Sequence, residues 1–224
     1  MGLRLNLYEE TEDYSVETFG NFDDWLKSRG AGIGGSDASA LCGVSHFKTL
    51  QDLWFEKIRG QKKPVGGPAV DYGRACEPAL RTLYQAKHLD HEVQYQADTC
   101  LVSKKIPWMR YSPDGLIWEP QTGRRGILEI KTAMIRNGNS ALVWEEGVPI
   151  EYYLQILHGL IVTGFDFVVI SAELRSWDGR VEIIERSYTR TGVADDIKQL
   201  LELETANYNQ YFVGEQLPPL DLTI

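Results

Sequence analysis

The stretches Ser112-Pro113-Asp114-Gly115-Leu116 and Gly126-Ile127-Leu128-Glu129-Ile130-Lys131-Thr132, separated by turn residues from Pro120 to Gly123, decide how this sequence is read. The second run is rich in β-branched and apolar residues, which suits a strand. Strand side chains alternate, so Glu129 and Lys131 share one face while Ile130 turns to the other with Leu128. Leu128 and Ile130 mark the buried face, and the charged pair opposite them is expected to line a cleft. A hairpin pairing Leu116 to Trp118 against Ile127 to Glu129 would place Asp114 near the end of the adjacent strand. Two carboxylates then converge on one cavity with a lysine beside them.

Phosphodiester hydrolysis needs a nucleophilic water at neutral pH and screening of the charge that builds on phosphate. Carboxylate-held Mg²⁺ supplies both, because it prefers hard oxygen ligands and lowers the pKa of bound water. Asp114 and Glu129 are the expected ligands, with the backbone carbonyl of Ile130 completing the shell. Lys131 is expected to position the water or to stabilise the phosphorane charge as a compact ammonium donor, with burial as a means of lowering its pKa. The pattern is short, and an exposed alternation of charges would look the same locally.

Outward from this pair, the segments alternate in type. Short helices are expected near Phe22 to Arg29 and Ser36 to Leu41. Thr49 with Asp52 resembles a capping box for a helix running to about Arg59. An amphipathic segment spans about Asp71 to His88, in which Pro78 must begin or kink a helix, leaving Glu77 at an irregularity. Three strands follow, Val93 to Ser103, Trp108 to Trp118 and Arg125 to Thr132, read as an antiparallel meander. A helix from Ile150 to Thr163, strands Phe165 to Leu174 and Val181 to Tyr188, and a terminal helix from Gly192 to Phe212 complete the chain. This order implies one α/β domain with a mixed central sheet flanked by helices. About residues 1–20 read as an N-terminal arm and about 213–224 as a tail, where Pro218 and Pro219 cannot continue a helix.

The 224 residues suffice for one sizeable core, and 43% are hydrophobic. A formal net charge of −9 argues against broad coating of nucleic acid, though bound divalent ions would add positive charge where phosphate sits. Short basic clusters remain at Lys57, Arg59, Lys62 and Lys63, at Lys104 and Lys105, and at Arg124 and Arg125. Cys42, Cys76 and Cys100 lack CxxC spacing and read as reduced packing residues of a cytoplasmic protein. No signal peptide, membrane anchor or membrane partner is expected. Most of the six tryptophans are expected in the core. Trp25, beside Arg29 on a helical face, is the exception, as a ring that could stack at a separating duplex end.

The sequence resembles the lambda-type exonucleases, the YqaJ-like viral recombinases, over about Trp25 to Gly164. Trp25, Arg29 and Gly32-Ile-Gly-Gly-Ser36-Asp37, then Gly73, Glu77 and Pro78, then Ser112 to Leu116, then Leu128 to Thr132, then Tyr152 with Gln155 carry the resemblance. It implies the restriction-endonuclease-like fold with a PD-(D/E)xK core. It also implies Mg²⁺ dependence, with two ions and Mn²⁺ as a substitute, and digestion of one strand of linear double-stranded DNA from 5′ to 3′. Residue by residue, Asp114, Glu129 and the Ile130 carbonyl match metal ligands and Lys131 the catalytic lysine. Glu77 matches a helical carboxylate near the metals, and Gln155 a polar residue near the nucleophilic water. Arg29 and Ser36 match residues contacting terminal phosphate, and Ser112 stands beside them in the DNA-binding set. The resemblance further implies double-stranded DNA ends as substrate, a single-strand annealing protein as partner in phage-type recombination, and a ring-shaped homotrimer.

One departure stands out. Many relatives carry Gln-x-Gln on the helix after the catalytic strand, whereas here Gln155-Ile156-Leu157 lacks the second glutamine. His158 lies one position beyond, rotated by about 100° around the helix, and is expected to be a packed or solvated histidine. The glycines from Gly30 to Gly35 are expected to form a tight turn presenting Ser36 at a helix start, as N-cap and phosphate contact together. Two other readings share these residues: an endonuclease or junction resolvase on the same core, and an inactive DNA-binding module.

Overall fold

The computed structural model describes residues 5–61 and 66–220; Lys62 and Lys63 of the first basic cluster lie outside them. Seven α-helices and nine strands are described: β1 (Tyr14–Thr18), α1 (Phe22–Ser28), β2 (Ile33–Gly34), α2 (Ala38–Leu41), α3 (Leu50–Arg59), α4 (Pro68–Lys87), β3 (Glu92–Gln94), β4 (Thr99–Ser103), β5 (Met109–Tyr111), β6 (Gly115–Glu119), β7 (Arg124–Ile135), α5 (Gly138–Glu146), α6 (Ile150–Thr163), β8 (Phe167–Ser176), β9 (Val181–Thr189) and α7 (Ala194–Asn207).

The strands form two sheets and not one central sheet. A five-stranded sheet runs β3-β6-β7-β8-β9, and a four-stranded sheet runs β1-β4-β5-β2. Both are mixed, because β7 lies parallel to β8 and β2 parallel to β5 while every other pair is antiparallel. The expected meander is therefore corrected. Its first two strands each break in the middle, and the halves join different sheets. Asp98, with φ of 48°, turns the chain between β3 and β4. Pro113, which has no N–H to give a ladder, lies between β5 and β6.

The helix expectations held better where local signals were strong. Thr49 accepts the Asp52 N–H at 3.0 Å in a reciprocal capping box opening α3. Helix α4 begins three residues earlier than read, with Pro68 in its first turn, and runs through Pro78. The segment read as an N-terminal arm contributes β1, which pairs with β4 along its whole length, and it buries Leu7, Tyr8 and Tyr14. Only Tyr14 is buried in β1, so the strand carries little hydrophobic alternation for a sequence to reveal. After α7 the chain continues as a π-helical turn to Val213, and the Pro218 carbonyl of the tail accepts from Gln51.

Helix α6 lies at the centre of the main core, where Ile156, Leu157 and Leu160 pack with Tyr111, Leu116, Ile127 and Val168. The missing second glutamine is thereby explained, since position 157 points into this core and is 1% exposed. His158 is fully buried, its Nδ1 3.0 Å from Glu204 and its Nε2 facing the Arg110 carbonyl. It is a packed histidine held by a helix-to-helix ion pair. Of the tryptophans, Trp54 and Trp144 are buried, whereas Trp177 is 87% exposed beyond the end of β8. Trp108 and Trp118 pack half-buried against the core, so most of the tryptophans belong to it as expected and Trp177 is the departure. The cysteines are all free thiols.

Candidate active site

The β6–β7 hairpin forms with Gly115 opposite Leu128 and Leu116 opposite Ile127, two residues from the expected register. A slip of two preserves the face of every side chain, so the functional expectation survives it. Ile130 packs with Leu80, Tyr84 and Leu128, while Glu129 and Lys131 turn to the opposite side. There they line a cavity of about 190 Å³ together with Asp114, Gln155, Tyr111, Ser112, Arg29, Ser36 and Trp25. Every sequence-derived site side chain except Glu77 borders this one space.

Glu129 is the hub. Only 1% exposed, it accepts from Lys131 Nζ at 2.5 Å and from Gln155 Nε2 on one oxygen, and from the Tyr111 hydroxyl on the other. Asp114 is fixed from behind: its Oδ2 accepts the Ile130 N–H at 2.7 Å, and its carbonyl accepts Arg81 Nε at 2.5 Å. Burial, then the Glu129 charge, pushes the Asp114 carboxyl well above the usual carboxylate range. Lys131 behaves contrary to the expectation of a lowered pKa. Burial opposes its charge, but the Glu129 and Asp114 carboxylates hold the ammonium above its ordinary range. Lys131 donates as an ammonium to Glu129 and stands 5.1 Å over the ring of Tyr152.

Glu77 sits one step back. It is ion-paired with Arg81 one helical turn on, and Arg81 in turn holds the Asp114 backbone. Burial raises the Glu77 pKa, with Arg81 opposing and Glu129 adding repulsion, so its charge is felt at the site. Among the described residues, no three His, Cys, Asp or Glu side chains are grouped closely enough to hold a metal between them. Two buried, mutually repelling carboxylates nevertheless fit a divalent cation, provided the Ile130 carbonyl and water fill the remaining positions. Glu77 would act there through charge or through water.

The glycine turn lining the same cavity departs from expectation. Gly35, Ser36 and Asp37 form one 3₁₀ turn after β2, and Asp37, not Ser36, caps it by accepting the Gly34 N–H. Ser36 instead accepts from the Arg29 guanidinium. Asp37 is 1% exposed and takes Lys48 and Lys57 at 2.8 Å each, while Lys57 also donates to the Arg29 carbonyl. Burial is outweighed by Lys57, Lys48 and Arg29, which hold the Asp37 carboxyl below its usual range. Lys57, counted by sequence in a short basic cluster, is a buried strut of this turn. Trp25 donates its indole N–H to Ser112 at 3.0 Å, and Arg29 lies 5.3 Å over its ring.

Tyr111 and Arg81 were missed by sequence reasoning. Arg81 had a signal, the spacing of four from Glu77 on one helix. Tyr111 had none, because what places it is close packing from elsewhere. An added Cβ at Gly35 would meet the Tyr111 ring at 2.8 Å, and one at Gly159 would meet it at 2.7 Å. Both glycines leave room for the ring that reaches Glu129. Gly159→Ala is consequently expected to destabilise the fold by about 1–3 kcal/mol, reversing the usual gain of Gly→Ala inside a helix. Denaturant unfolding checks this, and an unchanged midpoint would refute the packing.

A model of the YqaJ-like viral recombinase domain matches residues 24–166, more than half of the chain. The chain belongs to the YqaJ-like viral recombinase family. The uncharacterised protein YqaJ of Bacillus subtilis strain 168 is 29% identical over 211 residues, covering 89% of this chain. The chain spans 59% of the length of that relative. Among solved structures, the alkaline exonuclease LHK-Exo from Laribacter hongkongensis superposes with a TM-score of 0.56 at 17% identity, covering 88% of this chain and 100% of that one. A phage-related exonuclease from Haemophilus somnus 129PT gives 0.52 at 12% identity, covering 83% and 96%. These likenesses establish the restriction-endonuclease-like α/β fold, with mixed sheets flanked by helices.

Proposed function

We propose that this YqaJ-like chain is a metal-dependent deoxyribonuclease that digests one strand of linear double-stranded DNA from its 5′ end. The observation that carries the reading is the convergence of Asp114, Glu129, Lys131 and Gln155 on a cavity that Arg29, Ser36 and Ser112 also line. The carboxylates with a cationic donor suit a reacting phosphodiester, and the hydroxyls with a guanidinium suit a terminal phosphate.

Asp114, Glu129 and the Ile130 carbonyl would hold Mg²⁺, with two ions and Mn²⁺ as a substitute. When bound, the cation supplies positive charge against the phosphate and acidifies water. Tyr111 and Gln155 keep the Glu129 carboxylate oriented by donating to it. Lys131, as an ammonium, would donate toward the phosphate oxygens as negative charge grows on them. Ile130 N–H fixes Asp114, and the Arg81–Glu77 pair braces its backbone. Trp25, with Arg29 over its ring, would stack against a base at a separating duplex end.

The names of the structural neighbours, both exonucleases, support an end-dependent enzyme. The 5′-to-3′ polarity, a ring-shaped trimer and an annealing-protein partner in phage-type recombination follow from the family resemblance. No helix among the described residues is long and apolar enough to cross a membrane. The test is a comparison of covalently closed circular duplex with the same DNA linearised. The linear form is expected to be degraded to single strands and the circle to survive. Cleavage of the closed circle would establish instead an endonuclease or resolvase on the same residues, and inertness toward both would leave a DNA-binding module.

A further inference from the structure

We infer that Arg110, restrained by Glu17, is a further specificity-determining residue that tunes the affinity of the cavity for a terminal phosphate. The inference rests on the nuclease reading above and assigns a role to two residues that the sequence motifs do not touch.

Pairing in the four-stranded sheet fixes the placement. Leu101 opposite Tyr111 and Val102 opposite Arg110 put Tyr111 on the core face and Arg110 on the other. Alternation along β4 and beyond β5 adds Cys100 and Ser112 to the face of Arg110. Glu17 stands opposite Cys100 on β1 and joins them. Arg110, Cys100 and Ser112 accordingly line the cavity with Arg29 and Ser36.

Arg110 is incompletely satisfied in this position. Its residue is 6% exposed, one terminal nitrogen donates to Glu17, the Cys100 thiol lies against the guanidinium as a weak acceptor, and Nε is buried without a hydrogen bond. A buried guanidinium N–H without an acceptor is costly, and such orphans gather where a ligand completes them. The chemistry that fits is an anion with several oxygens, since a phosphate can accept from two guanidinium nitrogens at once. Glu17 is a replaceable partner, because its side chain is 44% exposed and solvated carboxylates form weak ion pairs. It lowers the positive potential of the cavity and competes with an incoming phosphate. Arg29 and Ser36 already bond to one another and present the opposing donors.

A merely structural role, fastening β1 to β5, makes a different prediction. It requires that removing either partner weaken the protein in the same direction. The phosphate role requires opposite effects. The experiment uses the full chain as Arg110→Gln and Glu17→Gln, with KM and kcat measured on 5′-phosphorylated and 5′-hydroxyl linear duplexes. Inorganic phosphate is titrated separately by calorimetry without DNA. Arg110→Gln is expected to raise KM for the phosphorylated duplex about tenfold, the scale of one charge-assisted hydrogen bond, while kcat stays within about twofold. Glu17→Gln is expected to lower that KM and to tighten phosphate binding. A rise in KM in both variants, with a fall in thermal midpoint in both, would overturn the proposal, as would an unchanged KM in Arg110→Gln. If Arg110→Gln does not fold, Glu17→Gln decides alone: tighter phosphate binding supports the role and weaker or equal binding refutes it. If the wild type binds phosphate through Arg110 yet digests no DNA, the nuclease reading fails and the anion site stands.

Discussion

Glu129→Gln is expected to remove cleavage almost entirely, by roughly a thousandfold or more, on the order of 4 kcal/mol in barrier. The substitution keeps the shape of the side chain and removes its charge. Glu129 accepts Lys131 and Gln155 on one oxygen and Tyr111 on the other, so all of its bonds run from donors to an acceptor. A glutamine can keep its carbonyl toward Lys131 and Gln155 and turn its NH₂ to the Tyr111 hydroxyl, which then accepts and leaves its own O–H without a partner. The buried Lys131 ammonium then has Asp114 as its remaining carboxylate, with the cation site reduced to one charged ligand. A loss of stability of about 1–3 kcal/mol should accompany the loss of turnover, from the unsatisfied buried donor. Single-turnover assays at saturating Mg²⁺, beside thermal unfolding, check both. Turnover within tenfold of wild type would remove Glu129 from the chemistry.

Lys131→Ala is expected to lower turnover by about a hundredfold or more, the scale for losing one preorganised donor. It separates the reaction from cation binding. Deleting a positive charge beside Glu129 and Asp114 removes a competitor for Mg²⁺, so metal affinity is expected to hold or to rise. DNA binding in Ca²⁺ is expected to persist through Arg29, Ser36 and Ser112. Lys131→Arg should rescue poorly, because the fork is wider than the ammonium that fits between Glu129 and the Tyr152 ring. Retention of more than about a tenth of wild-type turnover, a barrier change below ~1.4 kcal/mol, would make Lys131 a bystander.

The parts of this account legible in sequence are those fixed by local rules. Alternation alone placed Glu129 and Lys131 opposite Ile130, and the capping box at Thr49 and Asp52 set the start of α3. The hairpin register was off by two, a slip that period-two alternation cannot detect because it leaves each face unchanged. Long-range pairing was not legible. Nothing within Val93 to Ser103 announces that Gln94 and Thr99 belong to different sheets, or that Tyr14 to Thr18 forms the edge partner of β4. The chemistry around the site was hidden for the same reason. Ser36 looked like the helix cap because hydroxyls favour that position, but Asp37 is drawn into it by Lys48 and Lys57, which arrive from the next loop and helix. Tyr111 and Arg110 lie three and four residues before Asp114 and carry no motif. Their roles come from what other strands and helices leave open around them.

The central claim, that Asp114, Glu129 and Lys131 hydrolyse DNA from an end with a divalent cation, is tested most directly by one time course. Linear duplex carrying a 5′ label on one strand and a 3′ label on the other is incubated with the wild-type chain in Mg²⁺, in Ca²⁺ and in chelator. The account predicts early release of the 5′ label in Mg²⁺ while the 3′ label stays in polymer, and no release in Ca²⁺ or chelator. Equal release in chelator, or label released first from the 3′ end, would contradict it.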